Sequence, residues 1–451
     1  MNDSLATESG SFSVARPVVP VRVRRARSGS AIVLREVVRE ALYGLSRNRL
    51  RAGLSMLGIS WGIVSVVMLM AYGDGFGRAL GAGMSGAFSN GVVVAWPGQT
   101  SMQAGGERAG RRVRLTLDDV EALQATPMVL AASPEFVTRT AITHGDKLVT
   151  QPVRGVNVEY GDMRNERPAP GWGRWINDED IAQHRRVAFI GQEVQRKLFG
   201  GQYSVGQTVK IGGVPFEVIG VLEDKVQMST YFAPDRYCVF IPHTTFSQIS
   251  ESKYLATLVF QTTDPMQQQR ALRQVRETLG RTHRFNPADE RAVNLMDSIE
   301  NMESINGITN GLRVVLTFIG VLTLAIGGVG IMNIMFVSVT ERTREIGIRK
   351  ALGARRREIL LQFLLEGLVI TFLGGLAGVL VSQGLVWLLS PRPFLAELMD
   401  DLSRVTDIHL TLSAQLLLAS TLILAVVGLI AGLLPAVRAS RLDPIESLRY
   451  E

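Results

Sequence analysis

Few residues in this chain have the types and spacing that catalysis needs. Gly58-Ile-Ser-Trp-Gly62 has the G-x-S-x-G spacing of a nucleophile elbow, which works by presenting a serine on a sharp strand-to-helix turn. Here it sits inside a long uncharged apolar run, with no strand, turn or base, and the match is chance. Gly81-Ala-Gly-Met-Ser-Gly86 has the G-x-G-x-x-G spacing of a dinucleotide-binding turn. That turn must follow a strand and open a helix, whereas this one precedes a strand-like segment, so the dinucleotide reading fails. No Gly-Lys pair occurs, so no G-x-x-x-x-G-K-S/T loop is present to cradle nucleotide phosphates. No H-E-x-x-H occurs, and His144, His184, His243 and His283 share no metal spacing. Cys238 is the single cysteine. It excludes an intrachain disulfide and a cysteine-based metal cluster, and reads as a small buried hydrophobe in a strand. No catalytic, cofactor or metal site is expected.

The elements explain this poverty. The apolar residues, 46% of 451, pile up in four uncharged runs: Ala52 to Gly73, Val314 to Thr340, Gly367 to Pro391 and Leu410 to Val437. Crossing the hydrocarbon core takes about 20 apolar residues, so each run reads as a transmembrane helix. Arg47, Arg49 and Arg51 precede the first run and Asp74 follows it. Between the second and third lies Glu341-Arg-Thr-Arg-Glu-Ile-Gly-Ile-Arg-Lys-Ala-Leu-Gly-Ala354, then Arg355-Arg356-Arg357. Short Lys/Arg-rich loops stay in the cytoplasm, which places both termini inside and one large insertion outside. The net charge of +7 belongs mostly to these flanks. It suits orientation and anionic lipid headgroups, and a basic face with base-stacking aromatics, as nucleic-acid binding requires, is missing.

The predicted organisation follows. Residues 1–30 form a flexible cytoplasmic arm. Residues 31–73 hold an interfacial amphipathic helix, Ala31 to Ser46, and the first span. Residues 74–310 form an α+β domain outside the membrane, ending in a stalk that starts near Ser298 and carries Asn301, Asn306 and Asn310. The second span is 311–340, the basic hairpin 341–358, the third span 359–390, an outer loop 391–409, the fourth span 410–437 and a cytoplasmic tail 438–451. Within the outer domain, strands are expected at Gly91 to Ala95, Glu135 to Thr143, Leu148 to Val158, Tyr237 to Ile241 and Leu255 to Gln261. Gln207 to Leu222 reads as a hairpin turning at Gly212-Gly213. Helices are expected after a Thr116/Asp119 capping box, over Gln192 to Phe199, and from Asp264-Pro265 to Leu279. Gly161 to Gly173, rich in Pro, Gly and Arg, reads as a loop. Pro435 and Arg438 mark the inner end of the fourth span.

Three G-x-x-x-G spacings fall in the spans: Gly58/Gly62, Gly374/Gly378 and Gly428/Gly432. Such pairs let membrane helices approach closely, either within one bundle or across a dimer seam. The middles of the spans carry no Asp, Glu, Lys, Arg or His, groups that ion-coupled carriers and charged pores place near the midplane. Glu366 comes nearest, at the inner end of the third span. The bundle is built to pack and move, not to conduct.

The stretch from Gly327-Gly-Val-Gly-Ile-Met-Asn-Ile-Met-Phe-Val-Ser-Val-Thr through the hairpin to Ala354 closely resembles the signature of MacB/FtsX-type ABC transporter permeases. Arg47 to Ile59 resembles that family's first-span entry, Val205 to Val221 its periplasmic core domain, and Pro435 to Arg449 its C-terminal end. The resemblance implies a dimer, as a homodimer or paired with a related permease, working with an ABC ATPase that binds the ATP, and it leaves room for a periplasmic adaptor. It implies that the hairpin couples to the ATPase, with Glu341, Arg342, Arg344, Glu345, Ile346, Arg349 and Lys350 as the contact residues. ATP-driven closure would travel through the stalk to the outer domain and extrude an amphiphilic drug, peptide, lipid or lipoprotein. The chain differs from MacB in carrying no fused ATPase, and the hydrolysis is expected in a separate chain. The alternative is an FtsX-like signalling subunit that activates an envelope enzyme; a large outer domain favours extrusion.

Overall fold

The structure is a computed structural model that describes residues 49–104, 106–394, 396, 404 and 406–449. The expected arm and amphipathic helix before Asn48 lie outside the described residues, as do Glu397, Asp400 and Asp401 of the outer loop. Along the chain, α1 (Arg49–Ser85) leads into β1 (Val92–Pro97), α2 (Leu117–Gln124), β2 (Val129–His144), β3 (Lys147–Val156), α3 (Glu159–Met163), β4 (Pro168–Gly173) and α4 (Asp178–Ala182). Then come β5 (Val187–Ile190), α5 (Gln192–Phe199), β6 (Thr208–Ile211), β7 (Val214–Leu222), β8 (Val239–Pro242), α6 (His243–Phe246), β9 (Thr257–Thr262), α7 (Gln268–His283) and β10 (Val293–Asp297). The chain ends with α8 (Ser298–Glu341), α9 (Thr343–Ala351), α10 (Arg356–Leu389), α11 (Ala414–Arg441) and α12 (Pro444–Arg449).

Helices α1, α8, α10 and α11 are each long and apolar enough to cross a membrane. Ile59, Ile63, Val66, Leu324, Ile331 and Leu424 are buried between them, while Trp61, Phe318, Phe372 and Trp387 point outward. An apolar exterior suits lipid, where burial offers no net hydrophobic gain and close packing holds helices together. Glycine supplies that closeness. A Cβ on Gly62 would lie 2.8 Å from Leu324 Cδ1, one on Gly378 2.8 Å from Ser60 O, and one on Gly428 2.6 Å from Thr371 Cγ2. Gly374 faces Ile59, Gly432 faces Leu364 and Gly367, and Gly58 faces Gly327. All six expected packing glycines therefore meet neighbours in their own bundle.

Two helices run on beyond the uncharged segments. Helix α1 passes Gly73, where the apolar run stops, and continues to Ser85. Helix α8 is unbroken from the sheet domain to the hairpin, with Asp297 as its N-cap accepting from the Ile299 amide at 2.9 Å. Gly307 and Gly311 do not interrupt it. The two extensions pair: Asp74 meets Arg313 at 2.8 Å, and Gly77 faces Thr309. Arg78 ties α1 to the segment before α11, donating to His409 O at 2.9 Å and Thr411 Oγ1 at 2.8 Å. Helix α11 continues through Pro435 to Arg441. Pro435 lies inside this helix.

The sheet domain is organised by β2, whose two halves serve two sheets. Val129 to Glu135 pairs with β9, in the order β10-β1-β9-β2. Phe136 to His144 pairs with β3. From there the order runs β2-β3-β8-β5-β7, and β6 bridges β7 back to β2. Those six strands close on themselves, which removes their open edges. The β6–β7 hairpin turns at Gly212-Gly213 as expected, both residues at positive φ. The expected loop Gly161 to Gly173 is instead the end of α3 followed by β4, an edge strand on β7 with an irregular register. An edge strand tolerates the prolines that disguised it.

The glycine contacts give a stability prediction. Gly378→Leu forces a branched side chain against Ser60 and Ile63, costing about 2 kcal/mol of bundle stability. Gly384, with nothing within 4 Å of an added Cβ, accepts Ala with no loss. Thermal unfolding of the two variants in one detergent should separate them by several degrees, and equal midpoints would refute the packing role.

Candidate functional site

The hairpin end of the bundle holds the residues that sequence pattern singles out, and the structure sorts them into two groups. Ile346 is 3% exposed and belongs to the apolar core shared with Met335, Val339, Ile359 and Phe363. It therefore offers little surface to a partner. Lys350 turns inward as well: its Nζ donates to Ser440 O at 3.1 Å and to Leu442 O. An ammonium there caps carbonyls at the C-terminus of α11 and suits the helix dipole. Arg342 is half-buried and reaches across to Glu366 on α10 at 3.3 Å. Glu366, at the inner end of the third span, is thus paired across the hairpin.

Glu341, Arg344, Glu345 and Arg349 remain exposed. Beside them the structure adds three apolar residues missed by sequence reasoning: Ile348 at 45% exposure, Leu352 at 84% and, from α12, Ile445 at 79%. Helix α12 is seated directly on α9, for a Cβ on Gly347 would lie 2.6 Å from Ser447 Cβ. The α9–α12 pair thus exposes both apolar and charged side chains. That is the composition of a protein contact surface.

At the other end, the seam between the two sheets holds an ionic cluster absent from the sequence reading. Arg154, Arg164, Glu135, Glu166 and Asp235 are essentially buried, and Lys225 nearly so. Glu135 occupies the point where β2 passes from one sheet to the other. It accepts from Arg154 Nη1 at 3.0 Å and Tyr160 OH at 2.9 Å, and pairs with Thr257 on β9. Asp235 receives Arg164 at 3.1 Å, Lys225 at 2.9 Å and Gln227 Nε2 at 2.7 Å. Lys225 also lies 3.0 Å from Glu166. Three cations face three acidic side chains, and such pairing is how charge survives removal from water. Burial works against the Asp235 carboxylate, yet Lys225, Arg164 and Arg154 hold it well below its ordinary range. Glu166 goes the other way, pushed up to about 8 by burial and by the Asp235 carboxylate beside it. Burial raises the Cys238 thiol to about 12, so it is an inert packing group. Among the described residues no group of His, Cys, Asp or Glu is arranged to hold a metal.

With this geometry in view, the comparisons are specific. Residues 52–278 match the family model of the MacB-like periplasmic core domain, and residues 317–444 match the FtsX-like permease C-terminal model. A protein of Bdellovibrio bacteriovorus named macrolide export ATP-binding/permease protein MacB is 33% identical over 444 residues, covering 97% of this chain and 66% of that protein. A protein of the same name from Chlorobium luteolum is 33% identical over 416 residues, covering 92% and 60%. The chain thus spans about three-fifths to two-thirds of the length of these curated relatives. The solved periplasmic region of MacB from Actinobacillus actinomycetemcomitans is 18% identical with a TM-score of 0.40, covering 49% of this chain and 95% of its own. The chain belongs to the MacB/FtsX-type family of ABC transporter permeases, multi-pass proteins of the inner membrane.

The ionic cluster sets a pH dependence. In the unfolded chain Glu166 ionises near 4.5, and in the folded domain near 8. Between those values the folded state binds more protons, so stability is present below pH about 4.5 and is lost as pH rises to about 8. The melting midpoint of the detergent-solubilised protein should drop by roughly 5 °C between about pH 6 and about pH 9. Glu166→Gln, which keeps a neutral group in place, should flatten that slope; an unchanged slope in this variant would assign the dependence elsewhere.

Proposed function

We propose that this chain is the permease subunit of an ABC-type export system. A partner ATPase docks on the platform formed by α9 and α12, and its nucleotide-driven motion is carried across the membrane to the sheet domain, which extrudes an amphiphilic substrate. On this reading the hairpin and both termini face the cytoplasm, the permease pairs with a second copy or a related permease, and a periplasmic adaptor completes the path. The observation that carries the reading is α8. It runs without a break from Asp297 of the sheet domain to the hairpin, roughly 66 Å at 1.5 Å per residue. A continuous helix of that length transmits displacement from end to end. The charge-free middles of the four spans support the same reading, because the bundle offers polar cargo no relay. The relatives' names point to macrolides as the first substrates to try.

Ile348, Leu352 and Ile445 are the apolar contacts of this docking surface, with Arg344, Glu345 and Arg349 around them. The test is co-purification of the tagged chain from its native cells with an assay of ATP hydrolysis in the eluate. The double variant Ile348→Asp/Leu352→Asp should reduce co-purified ATPase and turnover at least tenfold while leaving the melting midpoint nearly unchanged, since both side chains are exposed. Ile346→Asp should instead unfold the hairpin, because it buries a carboxylate without a partner, at a cost of about 3 kcal/mol or more. Full ATPase association in the double variant would remove the platform from the mechanism.

A further inference from the structure

Helix α1 enters the sheet domain twice. Its covalent exit passes through Phe88 and Ser89, and Ser89 is bonded to the end of α3, its amide donating to Met163 O at 2.9 Å. The second contact is lateral. The segment from Glu223 to Pro234 has no regular secondary structure, and its Met228 amide donates to Gly83 O at 3.0 Å. A Cβ on Gly83 would lie 2.6 Å from Met228 Cγ, and one on Gly86 would run into the Val226 carbonyl. The Gly81-x-Gly-x-x-Gly86 pattern thus has a physical use unrelated to dinucleotides. Gly83 and Gly86 let the last turn of α1 and the residues after it lie backbone to backbone against this segment, while Gly81 has open space.

The same segment reaches into the ionic cluster. Lys225 Nζ donates to Arg164 O at 2.7 Å and pairs with Glu166 and Asp235. Gln227 and Asp235 bond in both directions, side-chain amide to carboxylate at 2.7 Å and Asp235 amide to Gln227 Oε1 at 2.8 Å. Arg154 Nη2 donates to Tyr231 O at 3.1 Å and to Ala233 O at 2.8 Å. Through Arg154 these bonds end on β3, and through Glu135 on β2, the strand shared by both sheets. The segment is therefore clamped at one end to a membrane helix and at the other to the seam of the domain.

We infer that Glu223–Pro234 is a coupling strap: it passes displacement of the first span into the seam between the two sheets through Met228, Lys225 and Gln227, with Gly83 and Gly86 as its seat. This rests on the export reading above and supplies the α1 limb of it. A rigid α8 alone would tilt the domain as one body. A second attachment at the seam lets the same motion of the bundle shift one sheet against the other.

The experiment uses the complex of this chain with its co-purified ATPase, in lipid nanodiscs, compared by hydrogen exchange without nucleotide and after trapping with ATP and vanadate. In the unsubstituted protein the amides of Val226 to Met228 and those of Ser133 and Glu135 should change exchange rate at least fivefold between the two states. Gly83→Ala drives a methyl into Met228 and should abolish the change at both places while ATP turnover stays within twofold. Gly83→Ala/Met228→Ala, which reopens the space, should restore it. Unchanged exchange in the strap of the unsubstituted complex, alongside altered exchange in the first turns of α8, would overturn the proposal; so would a Gly83→Ala complex that behaves like the parent. If Gly83→Ala proves unstable, the unsubstituted comparison still decides. A preparation with no ATPase and no hydrolysis would fail the export reading itself, an outcome distinct from these.

Discussion

The close contact between α1 and α8 is the constraint on which the rest of the molecule depends. These helices flank the inserted domain, and lipid gives them no hydrophobic reason to associate. They stay together because their backbones nearly touch, at Gly58 against Gly327, Gly62 against Leu324 and Gly320 against Val66. Past the apolar zone the means changes from van der Waals contact to charge, with Asp74 and Arg313 joined at the boundary. Both connections to the sheet domain are thereby held side by side, and α10 and α11 complete the packing.

The molecule divides its ionic interactions by position. The spans are kept free of charge in their middles, so nothing there resists sliding or rotation through a desolvated ion pair. At the sheet seam the opposite choice is made, with three acidic side chains and three cations buried together. Breaking such a set by removing one partner leaves an uncompensated charge in a dry site, a loss of about 3–5 kcal/mol. The seam is therefore specific in geometry, accepting few arrangements. At the hairpin, Lys350 and Arg342 fasten α9 to its own protein and leave the outer side of that helix exposed.

Much of this was legible from residues near one another in sequence. The four spans, the basic hairpin, α5 and the β6–β7 hairpin with its double glycine all depend on local pattern. The Asp264-Pro265 helix start and the Thr116/Asp119 box were legible for the same reason. What escaped was set by distant contacts. Residues Val187 to Ile190 and Val293 to Asp297 are too short to show alternation, and become strands because β7 and β1 lie beside them. The ionic cluster draws on positions from Glu135 to Asp235, with no spacing to betray it. Ile346 carries the same side chain as Ile348 two residues on, yet one is buried and the other exposed, which only the docking of α9 on the bundle decides.

The position of β1 bears on how the molecule is made. This strand leaves the membrane first, yet its hydrogen-bonded neighbours are β9 and β10, encoded more than 150 residues later. Its two edges stay open until nearly the whole domain has been delivered across the membrane. Non-local pairing of this kind is slow to close, and an unpaired, fully apolar strand such as Val92-Val-Val-Ala95 is a template for wrong partners while it waits. The arrival of α8 directly after β10 ends that interval, for the helix that completes the sheet's last connection also anchors the domain to the bilayer.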